Sequence, residues 1–355
     1  MTFRDFLMSH YNGAKMNYRD CYKAMRLSAP PDIEENNQLS AATLDWIARH
    51  NLWNLWVPRD FGGLEADLLD GLRTLQSLAR TDGSLGWTVT LCAGANYFIG
   101  NLKPEFAAEL FIGHRVILGG SGGLFGDASK TASGYRLNGQ WRYATGAPYL
   151  THFTLNARLL DDGKMLKNHQ GQEHYSSFVV PAEQVEVIDD WQTMGLVATA
   201  THSFKVQNAE ITEQQGFHYE TVFLPQAIYQ LNFSVFADLT LWVNYIGMGE
   251  HFLALSSNSV SPSHLYTLQD TLTHANLRVE NLAEECLQVV REKVDFTEQL
   301  VNKVHREASM SVVNISKAIT AIYPYTRIKG ASQNTALNRV FRDYFTATQH
   351  HIFTA

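Results

Sequence analysis

The chain is poor in cysteine and in charge, and each shortage excludes a class of protein. Three cysteines, Cys21, Cys92 and Cys286, stand far apart among 355 residues, so they can build neither a disulfide framework nor a closely spaced zinc site. Charged residues make up only 18% and the formal net charge is −7, which argues against a nucleic-acid-binding protein because such a protein normally carries a basic patch. With 45% hydrophobic residues, the chain can form a core and is not globally disordered.

Long apolar segments are also scarce. The first ten residues have no basic stretch followed by an apolar run, which is the pattern of a secretory signal. The segment 84–102 carries no charge and is close to the ~20 residues that span a bilayer, but its hydroxyl, amide and glycine residues favour a buried helix. We therefore predict a cytoplasmic protein without a membrane contact.

Standard motifs of catalysis and ligand binding are missing as well. The sequence contains no HExxH, GxGxxG or phosphate-binding loop. The adjacent pair His350 and His351 lacks the further ligands that a metal site needs, so we expect no metal. The glycine-rich segment 119–126 (GGSGGLFG) is predicted to be a flexible loop between a helix and a strand.

What the sequence does contain is a change of hydrophobic period along the chain. Leucines at steps of three and four over 68–78 predict a helix, and Asp82 is placed to cap the next one. Short alternating segments follow, and Asn138–Gly139 between two of them is a strong signal for a hairpin turn. Helical stripes return from 228, and a heptad seam over 268–300 is typical of a helical bundle or a subunit contact.

These patterns predict a mainly α protein with a central β domain. The β domain is expected to be a small antiparallel barrel or sandwich, and the last part of the chain to be a helical bundle. The predicted domains are an N-terminal helical domain over 1–113, the β domain over 114–213 and the bundle over 214–355.

Two groups of residues are candidates for a site. In the strand after the predicted hairpin, Trp141, Tyr143 and Thr145 are two residues apart and so share a face, which could hold a flat heteroaromatic cofactor or pack on a helix. In the last helix, Arg339, Asp343, Thr346 and His350 form a polar stripe, which could be a site or a solvated surface. The pattern leaves both alternatives open.

Five segments in order resemble the acyl-CoA dehydrogenase superfamily. They read VPRDFGG (57–63), LARTDGSLGW (78–87), GYRLNGQWRYATG (134–146), WQTMGL (191–196) and NRVFRD (338–343), the last being followed by 346–350. The resemblance implies an N-terminal helical domain, a central β domain and a C-terminal four-helix bundle. Within the superfamily, the chain is most similar to the oxygenase component of two-component (class D) flavin-dependent monooxygenases, which receive reduced flavin from a separate reductase.

The resemblance also implies which residues hold the cofactor. Thr145 would be the hydroxyl that faces the flavin N5 atom. Tyr143 and Trp141 would lie beside the ring, and Ser121 and Gly126 would belong to a loop that touches the flavin edge.

A second set of residues is implied on the substrate side. His350 matches a histidine that acts as the base toward the substrate. Asn96 and Tyr97 fall on the substrate side of the uncharged helix, where the oxygenase branch usually has a histidine. Because an amide cannot take a proton, this departure puts full hydroxylase activity in question.

The function that the resemblance implies is a flavin-dependent oxidoreductase using FAD or FMN. The favoured reaction is a monooxygenation of an aromatic or similar small molecule with reduced flavin and O₂. One alternative is an FAD enzyme of the acyl-CoA dehydrogenase type, although histidines stand where its carboxylate base would fall. Another is a catalytically degenerate flavin-binding or assembly protein. The expected partners are a small-molecule substrate, a separate flavin reductase and further copies of the chain in a homodimer or homotetramer.

Overall fold

The computed structural model describes residues 32–167 and 170–353, so Cys21 lies outside the described residues. The α-helices are α1 (Ala41–Arg49), α2 (Leu68–Thr81), α3 (Gly83–Asn96), α4 (Pro104–Phe111), α5 (Phe233–Ser256), α6 (Pro262–Glu292), α7 (Glu298–Ile322), α8 (Ile328–Ala331) and α9 (Ala336–Ala347). The strands are β1 (Glu34–Glu35), β2 (Gln38–Leu39), β3 (Leu118–Lys130), β4 (Gly134–Ala144), β5 (His152–Asp161), β6 (Lys164–Met165), β7 (Tyr175–Pro181), β8 (Val185–Ile188), β9 (His202–Thr212) and β10 (Gly216–Phe217). Short 3₁₀ turns join them, including Tyr97–Asn101, Val197–Thr199 and His351–Phe353.

The first helices form as their sequence pattern predicts. In α2 the leucine face is buried, and the Asp82 side chain caps α3 by accepting from the Leu85 amide at 3.0 Å. Almost every residue of α3 is buried, which confirms the prediction of a buried helix. Across 32–167 and 170–353, no helix combines the length and the apolar character needed to cross a membrane.

The central part is one sheet rather than two. Its strand order is β10-β7-β5-β3-β4-β9-β8, with β6 paired to β5. Most neighbours are antiparallel, but β3 and β5 run parallel. The prediction of an antiparallel barrel or sandwich is therefore corrected to a mixed sheet, because the chain crosses over between β4 and β5 instead of turning directly.

The glycine signals in this sheet predicted the wrong local structure. The segment 119–126 lies within β3, with register shifts against β5, and is not a loop. Asn138 and Gly139 lie in the middle of β4, where the pairing with β9 shifts register, and the Asn138 side chain accepts from the Asn208 amide at 2.8 Å. The structure thus has a bulge at the place where a hairpin turn was predicted.

The last helices pack around α5. Asn232 caps α5 by accepting from the Ser234 amide at 2.9 Å, and α5 contacts α2, α3, α6, α7 and α9. The heptad seam of α6 is buried inside the chain, so it forms the bundle and not a subunit contact. The order of helices, sheet and helices agrees with the predicted fold class, while the domain boundaries near 113 and 213 stay predictions.

Candidate functional site

A large cavity lies where the sheet meets the helices. Its volume is about 1690 Å³, and its lining comes from α3, the start of β3, the end of β4, the segment 191–201, α5, α7 and the chain around the end of α9. A cavity that holds one drug-sized ligand is ~300–1,000 Å³. This volume can therefore accept a large flat cofactor together with a small substrate.

The lining suits a flat aromatic ligand. Added side-chain carbons at Gly94 and Gly122 would meet nothing within 4 Å, so these glycines leave cavity space that any other residue would fill. Aromatic side chains contribute much of the remaining wall: Trp87, Phe98, Phe125, Tyr143, Trp191, Tyr219, Phe233, Phe236, Phe341 and Phe345. The Thr346 hydroxyl is buried near this wall and has no hydrogen-bond partner among the described residues.

Thr145 lies at the cavity with its hydroxyl in a chain of three threonines. Its Oγ1 is 3.1 Å from Oγ1 of Thr201, which is 2.7 Å from Oγ1 of Thr199. The Thr199 hydroxyl donates to the Leu196 carbonyl oxygen at 2.7 Å. Each hydroxyl has one proton, so Thr201 must donate to Thr199, and Thr145 must donate to Thr201. The Thr145 oxygen is therefore left to accept hydrogen bonds from a ligand in the cavity.

Helix α9 fixes the loop at the end of this chain. The Asp343 carboxylate accepts from the Leu196 amide at 2.6 Å, and the Arg342 guanidinium donates to the Met194 carbonyl oxygen. Burial, with the nearby Asp82 charge, raises the pKa of Asp343 to about 7. The predicted polar stripe of the last helix thus includes a buried anchor for the loop that orients Thr145.

His350 lies at the same cavity, just after α9. Its ring meets Trp87 edge to face with 5.6 Å between ring centroids. The Ile352 amide donates to its Nδ1 at 3.4 Å, so in the neutral ring the proton belongs on Nε2. The structure therefore brings the two predicted catalytic residues, Thr145 and His350, to one cavity.

Ser121 and Tyr143 also reach this cavity. The Ser121 hydroxyl donates to the Arg142 carbonyl oxygen at 2.7 Å and so holds the start of β3 to the end of β4. Tyr143 is exposed and meets Trp191 edge to face at 5.6 Å. Both residues line the cavity, and their contact with a cofactor stays a prediction.

Trp141 and Gly126 do not line the cavity, and their predicted contact with a cofactor is corrected. Trp141 is fully buried, stacks on Phe204 at 5.6 Å and donates from its indole nitrogen to the Asn156 carbonyl oxygen at 2.9 Å. An added side-chain carbon at Gly126 would collide with this indole. A register shift between Trp141 and Ala144 interrupts the alternation, so Trp141 and Tyr143 do not share a face.

Asn96 and Tyr97 are also corrected, because both are buried structural residues outside the cavity lining. The Asn96 amide donates to Asn54 Oδ1 at 2.8 Å and to the Val116 carbonyl oxygen at 3.0 Å, and it accepts from the Leu118 amide at 2.8 Å. It therefore ties α3 to the start of the sheet.

The Tyr97 side chain fills the core instead of facing a substrate. Its ring stacks on Phe236 with centroids 4.1 Å apart, and its hydroxyl donates to the Ile228 carbonyl oxygen at 3.1 Å.

The sequence reading missed a carboxyl–imidazole pair in the cavity. Asp238 on α5 and His305 on α7 both line it, with 3.3 Å between Asp238 Oδ1 and His305 Nδ1. Burial raises the pKa of Asp238 to about 6, although the hydrogen bond from His305 and its charge act in the opposite direction. The available signal was an aspartate within the apolar stripe of 228–252, where a buried acid needs a partner.

The sequence and the fold of the chain were compared with those of known proteins. No protein-family model matches the chain. The chain is 25% identical over 188 residues to indole-3-acetate monooxygenase of Pseudomonas putida, a match that covers 52% of this chain and 46% of that protein. It is 20% identical over 192 residues to the oxygenase subunit HsaA of a flavin-dependent monooxygenase of Rhodococcus jostii (strain RHA1), covering 54% and 48%. The chain thus spans about half the length of the curated relatives it matches.

Solved structures extend the likeness to nearly the whole fold. XiaF from Streptomyces sp., solved with FADH2 and glycerol, superposes with a TM-score of 0.82 at 20% identity and covers 95% of this chain and 90% of its own. The resemblance predicted from the five sequence segments is confirmed. The chain has the acyl-CoA dehydrogenase-like fold of the oxygenase components of two-component flavin-dependent monooxygenases.

Proposed function

We propose that this protein is a flavin-dependent monooxygenase that uses reduced FAD or FMN and O₂ on an aromatic small molecule. The observation that carries the proposal is the Thr145 hydroxyl, which faces a cavity large enough for two ligands and can only accept there. The fold and the relatives agree with this reaction class, since one relative is an indole-3-acetate monooxygenase.

The cavity lining provides the contacts that a flavin needs. The open backbone at Gly94 and Gly122 and the exposed rings of Phe125 and Tyr143 leave a flat apolar space for the ring system. Arg142 is the one arginine or lysine in the described lining, and its guanidinium can pair with a flavin phosphate.

Thr145 selects the redox state of the cofactor. A reduced flavin carries a proton on N5, whereas the same atom of an oxidised flavin only accepts. Because the Thr145 proton is committed to Thr201, its oxygen pairs with the reduced form and has no donor for the oxidised one. When bound, the reduced flavin supplies the two electrons that split O₂, so that one oxygen atom enters the substrate and the other leaves as water.

The protein's own residues contribute orientation and proton control. The 191–201 loop, held by Asp343 and Arg342, keeps Thr145 in place. His350 stands against Trp87 at the cavity, and the proton on its Nε2 can be donated in a hydrogen bond that orients a substrate oxygen. The apolar walls exclude water, which limits side reactions such as release of the oxygen as hydrogen peroxide.

The partners follow from the reaction. A separate reductase supplies the reduced flavin, as the description of a relative as an oxygenase subunit suggests. Exposed apolar side chains on α6 and α7, including Leu277, Met310 and Val313, provide a surface on which copies of the chain can associate as a homodimer or homotetramer. The cytoplasmic location stays a prediction.

The test supplies purified protein with chemically reduced FAD or FMN, then ¹⁸O₂ and an aromatic probe such as indole. We expect a product that carries one ¹⁸O atom, and we expect Thr145→Val to divert the oxygen to hydrogen peroxide. Absence of the label with every flavin and probe, or oxidation of an acyl-CoA without O₂ incorporation, would contradict the proposal.

A further inference from the structure

We propose that Asp238 and His305 form the substrate-recognition pair of this cavity and that they select an aromatic molecule with a neutral hydrogen-bond donor, a ring N–H or a phenolic O–H, over one that carries a carboxylate. This inference rests on the proposed function, because it names the substrate class of the same site. It assigns a role to two residues that neither the sequence motifs nor the family resemblance singled out.

The first argument is the geometry of the pair. Asp238 is almost fully buried on α5, yet it belongs to the cavity lining together with His305 of α7. The side chain of His305 is 43% exposed, whereas that of Asp238 is 4% exposed. The imidazole therefore covers one oxygen of the acid and leaves its own far edge accessible.

The second argument is the direction of the hydrogen bond. An ionised carboxylate only accepts, so Nδ1 of His305 must carry the proton that joins it to Asp238 Oδ1 over 3.3 Å. Nε2 of the neutral ring is then an acceptor. Both members of the pair therefore offer acceptors to the cavity, and a ligand with an N–H or O–H satisfies them.

The third argument is the charge around the pair. In the described lining, α3 contributes no titratable group, α5 contributes Asp238, α7 contributes His305, and the turn after α9 contributes His350. Asp238 is the single carboxyl group of that lining, and Arg142 at the end of β4 is its one fixed positive charge. A ligand carboxylate placed beside Asp238 would bring two like charges together in an apolar site, which is costly.

The pair also has a pH dependence with a defined sign. Burial raises the pKa of Asp238 to about 6, so the acid is ionised and accepting above that value. Below it the acid gains a proton, loses its charge and can donate. The preference for donor ligands therefore weakens as the pH falls through about 6. The other titratable groups of the described lining are His305, His350, Tyr143 and Tyr219, and Arg142 is its fixed charge.

The experiment measures binding of three matched probes to the full chain without flavin, by calorimetry at neutral pH. Indole has a ring N–H, N-methylindole lacks it, and indole-3-acetate adds a carboxylate. Since a hydrogen bond to a charged acceptor is the stronger kind, we expect indole to bind about tenfold tighter than N-methylindole, and we expect indole-3-acetate to bind more weakly than indole. Asp238→Asn should remove most of the penalty on the carboxylate probe.

The matched control is Glu250→Gln, which neutralises another buried carboxyl group of α5 that pairs with Arg80 away from the cavity lining. It should leave the three affinities in their wild-type order. If Asp238→Asn fails to fold, a second measurement on the wild-type protein takes its place. The preference for indole over N-methylindole is then measured above and below pH 6, and it should be smaller at the lower pH.

Equal binding of indole and N-methylindole, or tightest binding of indole-3-acetate, would overturn the inference. If those results occur while ¹⁸O is still incorporated into a product, only the assignment of Asp238 fails. If no ¹⁸O is incorporated although the probe order is as expected, the proposed function fails instead.

Discussion

The hydroxyl chain behind Thr145 makes a quantitative prediction for Thr201→Val. The substitution keeps the shape of the side chain but removes the acceptor that now takes the Thr145 proton at 3.1 Å. The Thr145 hydroxyl can then rotate and either donate or accept in the cavity. The wild-type preference for a ligand atom that bears a hydrogen should therefore fall.

The size of the effect follows from one neutral hydrogen bond. Such a bond contributes about 0.5–1.5 kcal/mol, and a tenfold change in affinity corresponds to about 1.4 kcal/mol. Wild-type protein should thus bind reduced flavin more tightly than oxidised flavin, and Thr201→Val should lower the ratio of the two dissociation constants by about two- to twelve-fold.

The assay is a pair of titrations, with oxidised flavin in air and with reduced flavin under anaerobic conditions. The matched control is Thr326→Val, since Thr326 is also buried but its hydroxyl donates to the Tyr323 carbonyl oxygen away from the cavity. An unchanged ratio in Thr201→Val, or an equal fall in the control, would refute the orientation assigned to Thr145.

Three further predictions concern stability and are tested by denaturant or thermal unfolding at controlled pH. Asn96→Ala should lower the unfolding free energy by about 3 kcal/mol, because it removes three hydrogen bonds from a buried amide; a loss below about 1 kcal/mol would contradict the structural role assigned to Asn96. Gly126→Ala should lower the unfolding free energy by about 1–3 kcal/mol, because the added methyl group overpacks against Trp141. Tryptophan fluorescence identical to that of the wild type would argue against this contact. Since burial raises the folded-state pKa of Asp343 to about 7 from 3.8, the folded protein binds this proton more tightly than the unfolded chain, and stability should fall as the pH rises between these values. Asp343→Asn should make stability less dependent on pH over this range. A plot of unfolding midpoint against pH that runs parallel to that of the wild type would contradict this prediction.

The general architecture could be predicted from the sequence because periodicity is a local property. The leucines of α2 and the acidic cap at Asp82 needed no tertiary information. The local structure at the glycines of the sheet was predicted wrongly because their role depends on tertiary contacts. Gly126 and Gly139 are small because the Trp141 indole approaches both, and a distant side chain leaves no mark on the local pattern, so Asn138–Gly139 resembled a turn.

The candidate site could be predicted only in part. Thr145 and His350 were identified by resemblance and do reach one cavity. The residues that orient and complement them come from distant parts of the chain: Thr201 is 56 positions from Thr145, and His305 is 67 positions from Asp238. Such pairs appear only when folding brings their elements together, so neither could be read from spacing.

The prediction for Asn96 was wrong for a related reason. Its place in the uncharged helix suggested a substrate contact, but on a helix that is buried on nearly every side the position in the sequence does not tell which face meets the cavity. The neighbours Gly94 and Ala95 line it, whereas Asn96 turns to the start of the sheet.

A crystal structure of the protein soaked with reduced flavin under anaerobic conditions would test the central claim most directly. We predict that the ring system lies in the cavity beside Tyr143 and Ser121, with its N5 atom about 3 Å from Thr145 Oγ1, the distance of a hydrogen bond. A flavin bound elsewhere, or a ring whose N5 points away from Thr145, would contradict the account.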